Sequence, residues 1–375
     1  MNEPDFSRRF RFWSVLTVSS IYMLIAVGGI VRATGSGMGC PDWPRCFGQW
    51  VPPTSAAQLP PNYQQVYTAQ RVAKNQKLAR TLASLGFQQV ASGIFANPTQ
   101  YIETGFNATK TWIEYLNRLV GVLIGIFVFI TAVVAWPYRQ HDPPVFSLAV
   151  VAWLLTGVQG WLGSLVVSTN LLPVMVTIHM ALALLIVVML LYAAHRARWG
   201  QAEMAGQEAV LEAETLGQEP DEDAAATTGL RWLLLGALLL TFGQIILGTQ
   251  VREQIDVIAS VAGYVGRATW VSQLGSVFET HRTLSAVVVL ANGFIGYQLW
   301  QLEVPRLRQL VAATWGVLAL EMLAGISLAY LGLPAFVQPI HLTLATLLFG
   351  AQFLTLLALR QLGQESKTDA LAAQA

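Results

Sequence analysis

Eight apolar runs, each near the ~20 residues that cross the hydrocarbon core of a bilayer, govern what this 375-residue chain can fold into. They lie at about 12–31, 117–136, 145–167, 174–194, 232–250, 281–300, 310–331 and 335–359. Lipid offers backbone N–H and C=O groups no partners, so such runs span as helices that satisfy themselves. With 54% hydrophobic and 11% charged residues and a mean hydropathy of +0.51, the chain is not an ordinary soluble globule. The expected fold is all-α: a polytopic membrane protein of eight transmembrane helices.

Charge sets the expected orientation. The start, MNEPDFSRRFRF, places acidic residues before its arginines, and the apolar run after it is longer than a signal's and lacks a cleavage pattern, so it reads as a retained first helix. With that helix entering from inside, Arg139, Arg196, Arg198, Arg306, Arg308 and Arg360 all fall on the cytoplasmic side, as the positive-inside rule asks. Both termini are then cytoplasmic. A net charge of +1 provides no basic stripe of the kind that neutralises phosphates, so nucleic acid is excluded as a partner.

The chain repeats itself. Four runs precede and four follow a polar, acidic stretch at about 200–230, read as a cytoplasmic linker between an N-terminal half (1–199) and a C-terminal half (231–375). Gly28–Arg32 reads GGIVR and Gly248–Arg252 reads GTQVR; Glu114–Arg118 reads EYLNR and Glu279–Arg282 reads ETHR. Asn117 thus holds the register of His281, with Glu279 read as the partner of Glu114. Gln159 precedes His179 as Glu321 precedes His341, and Gly163 and Gly325 follow at matching positions, with Pro173 and Pro334 close to the next helix starts. Four crossings return the chain to its starting side, so the halves run in the same sense, as two four-helix bundles about a pseudo-twofold axis along the membrane normal. The first external loop, 32–111, is much longer than its counterpart at 251–278, and its middle, about 62–95, has helical spacing.

Histidines inside spanning helices usually face a bundle interior or a site. His179, His281 and His341 sit near the external ends of their spans, while His141 and His195 fall in or beside cytoplasmic loops, where solvation satisfies them. A bis-histidine heme takes two neutral imidazoles from opposite sides at one depth, a requirement that His281 and His341 meet. Zinc asks for three or four ligands, more than either half offers at that depth. Gly28, Gly163, Gly248 and Gly325 suit either the approach of a flat macrocycle or helix packing. Arg32, Arg118, Arg252 and Arg282, near the external helix ends, suit carboxylates such as heme propionates, with snorkelling to the interface as the other reading.

Glu114 lies one helical turn before Asn117 and is a candidate acid, base or cation stabiliser. Glu321 is a carboxylate in mid-span. Cys40 and Cys46, the chain's two cysteines, flank PDWPR, a proline-stiffened loop expected to close a disulfide, with redox cycling left open.

The stretch GGIVRATGSGMGCPDWPRCFGQWVPP, followed by Glu114-Tyr-Leu-Asn117-Arg118 and the repeat carrying His179, His281 and His341, resembles the heme A synthase family across all eight helices. The resemblance implies a bacterial inner-membrane enzyme that oxidises the C8 methyl of heme o to the formyl group of heme a. It implies heme b held by His281 and His341 in the C-terminal half, and substrate heme taken by the N-terminal half with Glu114 as catalytic carboxylate and His179 as iron ligand. Asn117 departs from the family pattern, in which a histidine follows Glu-x-x, and an amide is a poor iron ligand. The substrate heme is therefore expected on His179 alone or with a weak or exchangeable sixth ligand. Implied partners are the heme o synthase that supplies the substrate, a membrane electron acceptor and terminal-oxidase assembly factors; a homo-oligomer is left open. The alternatives weighed are a di-heme electron-transfer protein like a cytochrome b, and a heme carrier without chemistry.

Overall fold

The computed structural model describes residues 5–95, 102–103, 105–169, 171–215, 222–263 and 265–374. Among these, eight helices are long and apolar enough to cross a membrane: α1 Asp5–Ala33, α4 Ala108–Val134, α6 Pro143–Ser168, α7 Pro173–Thr215, α8 Glu222–Val261, α9 Ser276–Gln301, α10 Pro305–Tyr330 and α11 Val337–Gln374. Between α1 and α4 lie α2 (Tyr63–Ser84) and α3 (Gln88–Gly93), and α5 (Tyr138–His141) joins α4 to α6. The all-α polytopic expectation holds, and so does helical structure in the middle of the long loop.

Local chemistry sets several helix boundaries. Pro143 and Pro305 open α6 and α10, where a missing N–H costs nothing and the fixed φ suits the first turn. Asn107 caps α4, its side chain accepting from the Lys110 N–H at 3.0 Å. That cap starts α4 at Ala108, well before the apolar run at 117, and so places Glu114 and Asn117 within the helix. The polar stretch read as a linker is helical on both sides, in α7 to Thr215 and in α8 from Glu222; residues 216–221 of that linker lie outside the described residues.

Each half closes into a ring of four. α1, α4, α6 and α7 each pack against the next and α7 returns to α1; α8, α9, α10 and α11 do the same. The helices that carry Asn117 and His179, and those that carry His281 and His341, are therefore diagonal partners, α4 with α7 and α9 with α11. The halves meet along α1, α7, α8 and α11. Half of the apolar window of α11 is buried, against 17–33% in the other seven, so α11 is the central element and the others turn one face to lipid.

The core of the N-terminal ring is Val18, Ile21, Ile124, Val128, Ala152 and their neighbours through Leu190. A second cluster of Leu184, Leu238, Ile245 and Phe349 joins α7, α8 and α11 across the seam. Hydroxyl pairs bridge helices at Thr17–Thr131 (2.9 Å) and Thr177–Thr249 (2.8 Å); such contacts average about 0.6 kcal/mol within membranes, so close packing carries most of the association.

Gly29 shows that packing at its tightest. A β-carbon there would stand 2.9 Å from Pro339 Cβ and 3.0 Å from its Cα, whereas one on neighbouring Gly28 would meet nothing within 4 Å. Gly29→Ala should therefore force α1 away from α11 and cost about 1–3 kcal/mol, as overpacking does, seen as a lower Tm in detergent. Gly28→Ala should leave Tm unchanged, and equal losses from the two variants would contradict this packing.

Candidate functional site

The histidines and glycines compose a motif that recurs in three of the four helix pairs. His179 on α7 turns its Cε1 toward Gly163 on α6, His281 on α9 turns toward Gly248 on α8, and His341 on α11 turns toward Gly325 on α10. A β-carbon on these glycines would lie 3.6, 3.4 and 3.3 Å from the imidazole. A β-carbon would thus be in ordinary contact with the ring at Gly163 and Gly248 and slightly tight at Gly325, and none of the three is a helix-to-helix contact of the Gly29 kind.

Four residues before each glycine stands a polar side chain that faces the same histidine. Gln159 Nε2 donates to the His179 carbonyl and Gln244 Nε2 to the His281 carbonyl, each at 2.8 Å. Glu321 Oε1 lies 3.0 Å from His341 Nδ1. Three of the four helix pairs thus carry Gln or Glu, glycine and histidine in one register. The first pair carries Leu24, Gly28 and Asn117 instead, and Gly28 faces open space.

The two halves consequently differ. His281 and His341 face each other across the C-terminal ring with centroids 6.4 Å apart and planes at 80°; the Nδ1 of His281 is buried without a hydrogen-bond partner, and that of His341 lies against Glu321. Two metal–imidazole bonds of about 2 Å, with roughly 1 Å from each nitrogen to its ring centre, span about 6 Å, so one iron fits between the rings. Among the described residues no three His, Cys, Asp or Glu side chains converge; a pair of imidazoles suits a metal that brings its own equatorial ligands, as heme iron does. In the N-terminal ring His179 is diagonal to Asn117, whose Oδ1 is buried and unpartnered.

Glu114, 3% exposed, is held by the loop above it. Its Oε2 accepts from the Cys40 N–H at 2.8 Å and its Oε1 from Arg118 at 2.5 Å. Arg118 also donates to the carbonyls of Cys40 (3.2 Å), Asp42 (2.7 Å) and Arg45 (3.0 Å). Cys40 and Cys46 form the expected disulfide. Between them Asp42 accepts the N–H groups of Phe47 and Gly48 at 2.6 and 2.8 Å, both residues having positive φ; the carboxylate offsets the strain at Phe47.

A small cap completes the loop. Arg71 of α2 pairs with Glu103 at 2.7 Å, the side chains being 1% and 4% exposed. Burial raises the Glu103 carboxyl above the usual carboxylate range, and the Arg71 guanidinium opposes it. Burial also pushes the Tyr67 hydroxyl up to about 12, with Asp42 and Glu103 adding to the shift.

Some expectations need correction. With Asn117 matched to His281, the position equivalent to Glu114 is Phe278, packed in the cluster around Trp270; Glu279 is exposed and is no counterpart. His195 is not a solvated loop residue but is 6% exposed within α7, because that helix runs past the apolar segment. His141 is exposed, its ring Nδ1 2.9 Å from the Pro137 carbonyl. The four arginines are not equivalent: Arg118 is committed to the loop, and Arg32 and Arg252 reach one carboxylate, Asp256, at 3.0 and 2.7 Å. Arg252 also bonds Gln338. Arg282 is exposed and lies over the Phe278 ring, the freest of the four to meet an anionic group.

Gln244 and Asp256 escaped the sequence reading. The signal for Gln244 is the Gln/Glu-x-x-x-Gly spacing shared with Gln159 and Glu321; Asp256 stands one turn beyond Arg252.

Comparisons with known proteins place the chain in a family. The family described as "Cytochrome oxidase assembly protein" matches residues 11–85 and 76–353. A heme A synthase of Granulibacter bethesdensis is 24% identical over 383 residues, covering 96% of this chain and 89% of its own length. One from Shewanella oneidensis is 23% identical over 263 residues, 69% of this chain and 62% of its own. One from Alkalihalophilus pseudofirmus is 26% identical over 158 residues, 42% of this chain and 36% of its own.

Replacing Arg118 by leucine would leave Glu114 buried without its ion-pair partner and three loop carbonyls without a donor. Breaking one partner of a buried pair costs about 3–5 kcal/mol, so Arg118→Leu should speed proteolysis between residues 34 and 107. Arg118→Lys should rescue only part, since an ammonium lacks the guanidinium fork. Wild-type resistance in Arg118→Leu would contradict the assignment.

Proposed function

Because the chain belongs to the cytochrome oxidase assembly protein family, we propose that it is a heme A synthase of the bacterial inner membrane, with both termini cytoplasmic, oxidising the C8 methyl of heme o to a formyl group. The observation that carries this reading is the contrast between the rings: facing imidazoles in the second, and an incomplete ligand pair beside a buried carboxylate in the first. A resident cofactor wants saturated ligation; a substrate that must arrive, react and leave wants less.

In this reading His281 and His341 hold heme b, which supplies electron relay to an acceptor in the membrane. Gln244 fixes the backbone of the His281 helix, and Glu321 stands against His341 as a carboxylate that orients the imidazole and raises its basicity. His179 holds the substrate heme, steadied by Gln159, and the space beside Gly28 and Asn117 receives the macrocycle without a second strong ligand. Converting a methyl to a formyl group removes four electrons and adds one oxygen. Glu114, fixed by the Cys40 N–H and Arg118 in surroundings of low dielectric, stabilises positive charge that develops on the methyl carbon. The disulfide loop shields that carboxylate from bulk water. Heme o synthase and terminal-oxidase assembly factors are the partners at either end.

Co-expression with a source of heme o, followed by extraction and identification of the hemes, tests this directly. Heme a should appear only when the chain is present; heme o bound and recovered unchanged would mark a carrier instead. Glu114→Gln should keep heme binding while heme a falls by about 10²-fold or more, the scale of losing one preorganised charge-stabilising group. Normal heme a in that variant would remove Glu114 from the chemistry.

A further inference from the structure

About three to four helical turns away from the histidine layer, on the side opposite the loop, the C-terminal ring has polar residues inside. Asn292 of α9, Thr314 and Trp315 of α10, and Gln352 and Thr355 of α11 share, with apolar residues of α8, α9 and α10, the lining of a partly open cavity of about 20 Å³. Asn292, Thr314, Gln352 and Thr355 are each 7% exposed or less. Room for one water takes about 10–15 Å³ together with two or more polar partners.

The hydrogen-bond inventory says what kind of molecule belongs there. Both amide hydrogens of Gln352 are committed, to Thr241 Oγ1 at 3.0 Å and Asn292 Oδ1 at 2.8 Å. The hydroxyls of Thr314 and Thr355 donate to the Leu310 and Ala351 carbonyls, each at 2.8 Å, and the Trp315 N–H donates to the Asn292 carbonyl at 3.1 Å. Gln352 Oε1 is buried with no partner, although Gln352 itself is 1% exposed. The two threonine oxygens keep lone pairs. Acceptors are left over where donors are spent, and an orphaned buried acceptor costs about 1–3 kcal/mol.

The N-terminal ring has no such layer. The register that pairs Gly28 with Gly248, Asn117 with His281, Gly163 with Gly325 and His179 with His341 places Ile21, Val128, Ala152, Leu190 and Ala193 opposite Thr241, Asn292, Thr314, Gln352 and Thr355. All five are apolar and 7% exposed or less, and four of them belong to the core of that ring.

We propose that the C-terminal ring holds a single internal water in this cavity, donating to Gln352 Oε1 and to Thr314 or Thr355 Oγ1, and that the N-terminal ring is dry at the same level. The water completes a hydrogen-bonded layer that ties α8, α9, α10 and α11 together, whereas the first ring, about one turn further on, has a hydroxyl pair, Thr17–Thr131, that joins α1 to α4 alone.

The test is the structure of the purified full chain at a resolution that shows waters, determined in sodium and in sodium-free choline buffer. One peak about 2.7–3.0 Å from Gln352 Oε1 and from a threonine hydroxyl should be present in both buffers. No peak, or a peak only with sodium, overturns the proposal. A variant carrying the first ring's residues (Thr241→Ile, Asn292→Val, Thr314→Ala, Gln352→Leu) should fold with a Tm close to wild type and lose the peak; retention of the peak overturns it. Gln352→Leu alone, which strands Asn292 Oδ1 without its donor, should lower Tm by several degrees, and an unchanged Tm counts against the layer.

Discussion

Each of the three histidines lays its imidazole against a glycine of the neighbouring helix: His179 against Gly163, His281 against Gly248 and His341 against Gly325, where an added β-carbon would stand 3.6, 3.4 and 3.3 Å from the ring. The polar side chain one turn away on the same neighbouring helix meets the same histidine. The rest of the architecture serves this arrangement. Ring closure sets the ligand helices on a diagonal, and the common depth of the histidines in their spans lets two rings face one center.

The two rings are not equivalent. A leucine and an asparagine replace the glutamine and histidine of the first helix pair, leaving the space beside Gly28 unfilled. The same half carries the long loop whose disulfide, Asp42 and Arg118 pin Glu114. A lone histidine and a fixed carboxylate occur together in one ring, and a facing histidine pair occurs in the other. On the proposed function, the duplicated scaffold then serves once to hold a heme and once to alter one.

Much of this is legible in the sequence, for physical reasons that differ by element. The spans are legible because lipid demands about twenty apolar residues, and the repeat because Gly-x-x-Val-Arg and the histidine spacings recur in register. The disulfide is legible because two cysteines flank a short proline-bearing loop. Partners that meet across long separations are not legible: the Cys40 N–H and Glu114 lie 74 residues apart, and Arg32 and Asp256 lie 224 apart. Nothing in the run of letters told that Arg118 is spent on loop carbonyls while Arg282 stands free. The pairing of Glu279 with Glu114 failed because resemblance of letters outweighed register, and the register puts Phe278 there.

The central claim is that ligation is complete in one ring and incomplete in the other through a single residue, Asn117. Electron paramagnetic resonance of the chain loaded with heme in both rings, beside an Asn117→His variant loaded identically, tests it most directly. The account predicts one low-spin bis-imidazole center per chain in the wild type and two in the variant. Two such centers already in the wild type, unchanged by Asn117→His, would contradict it.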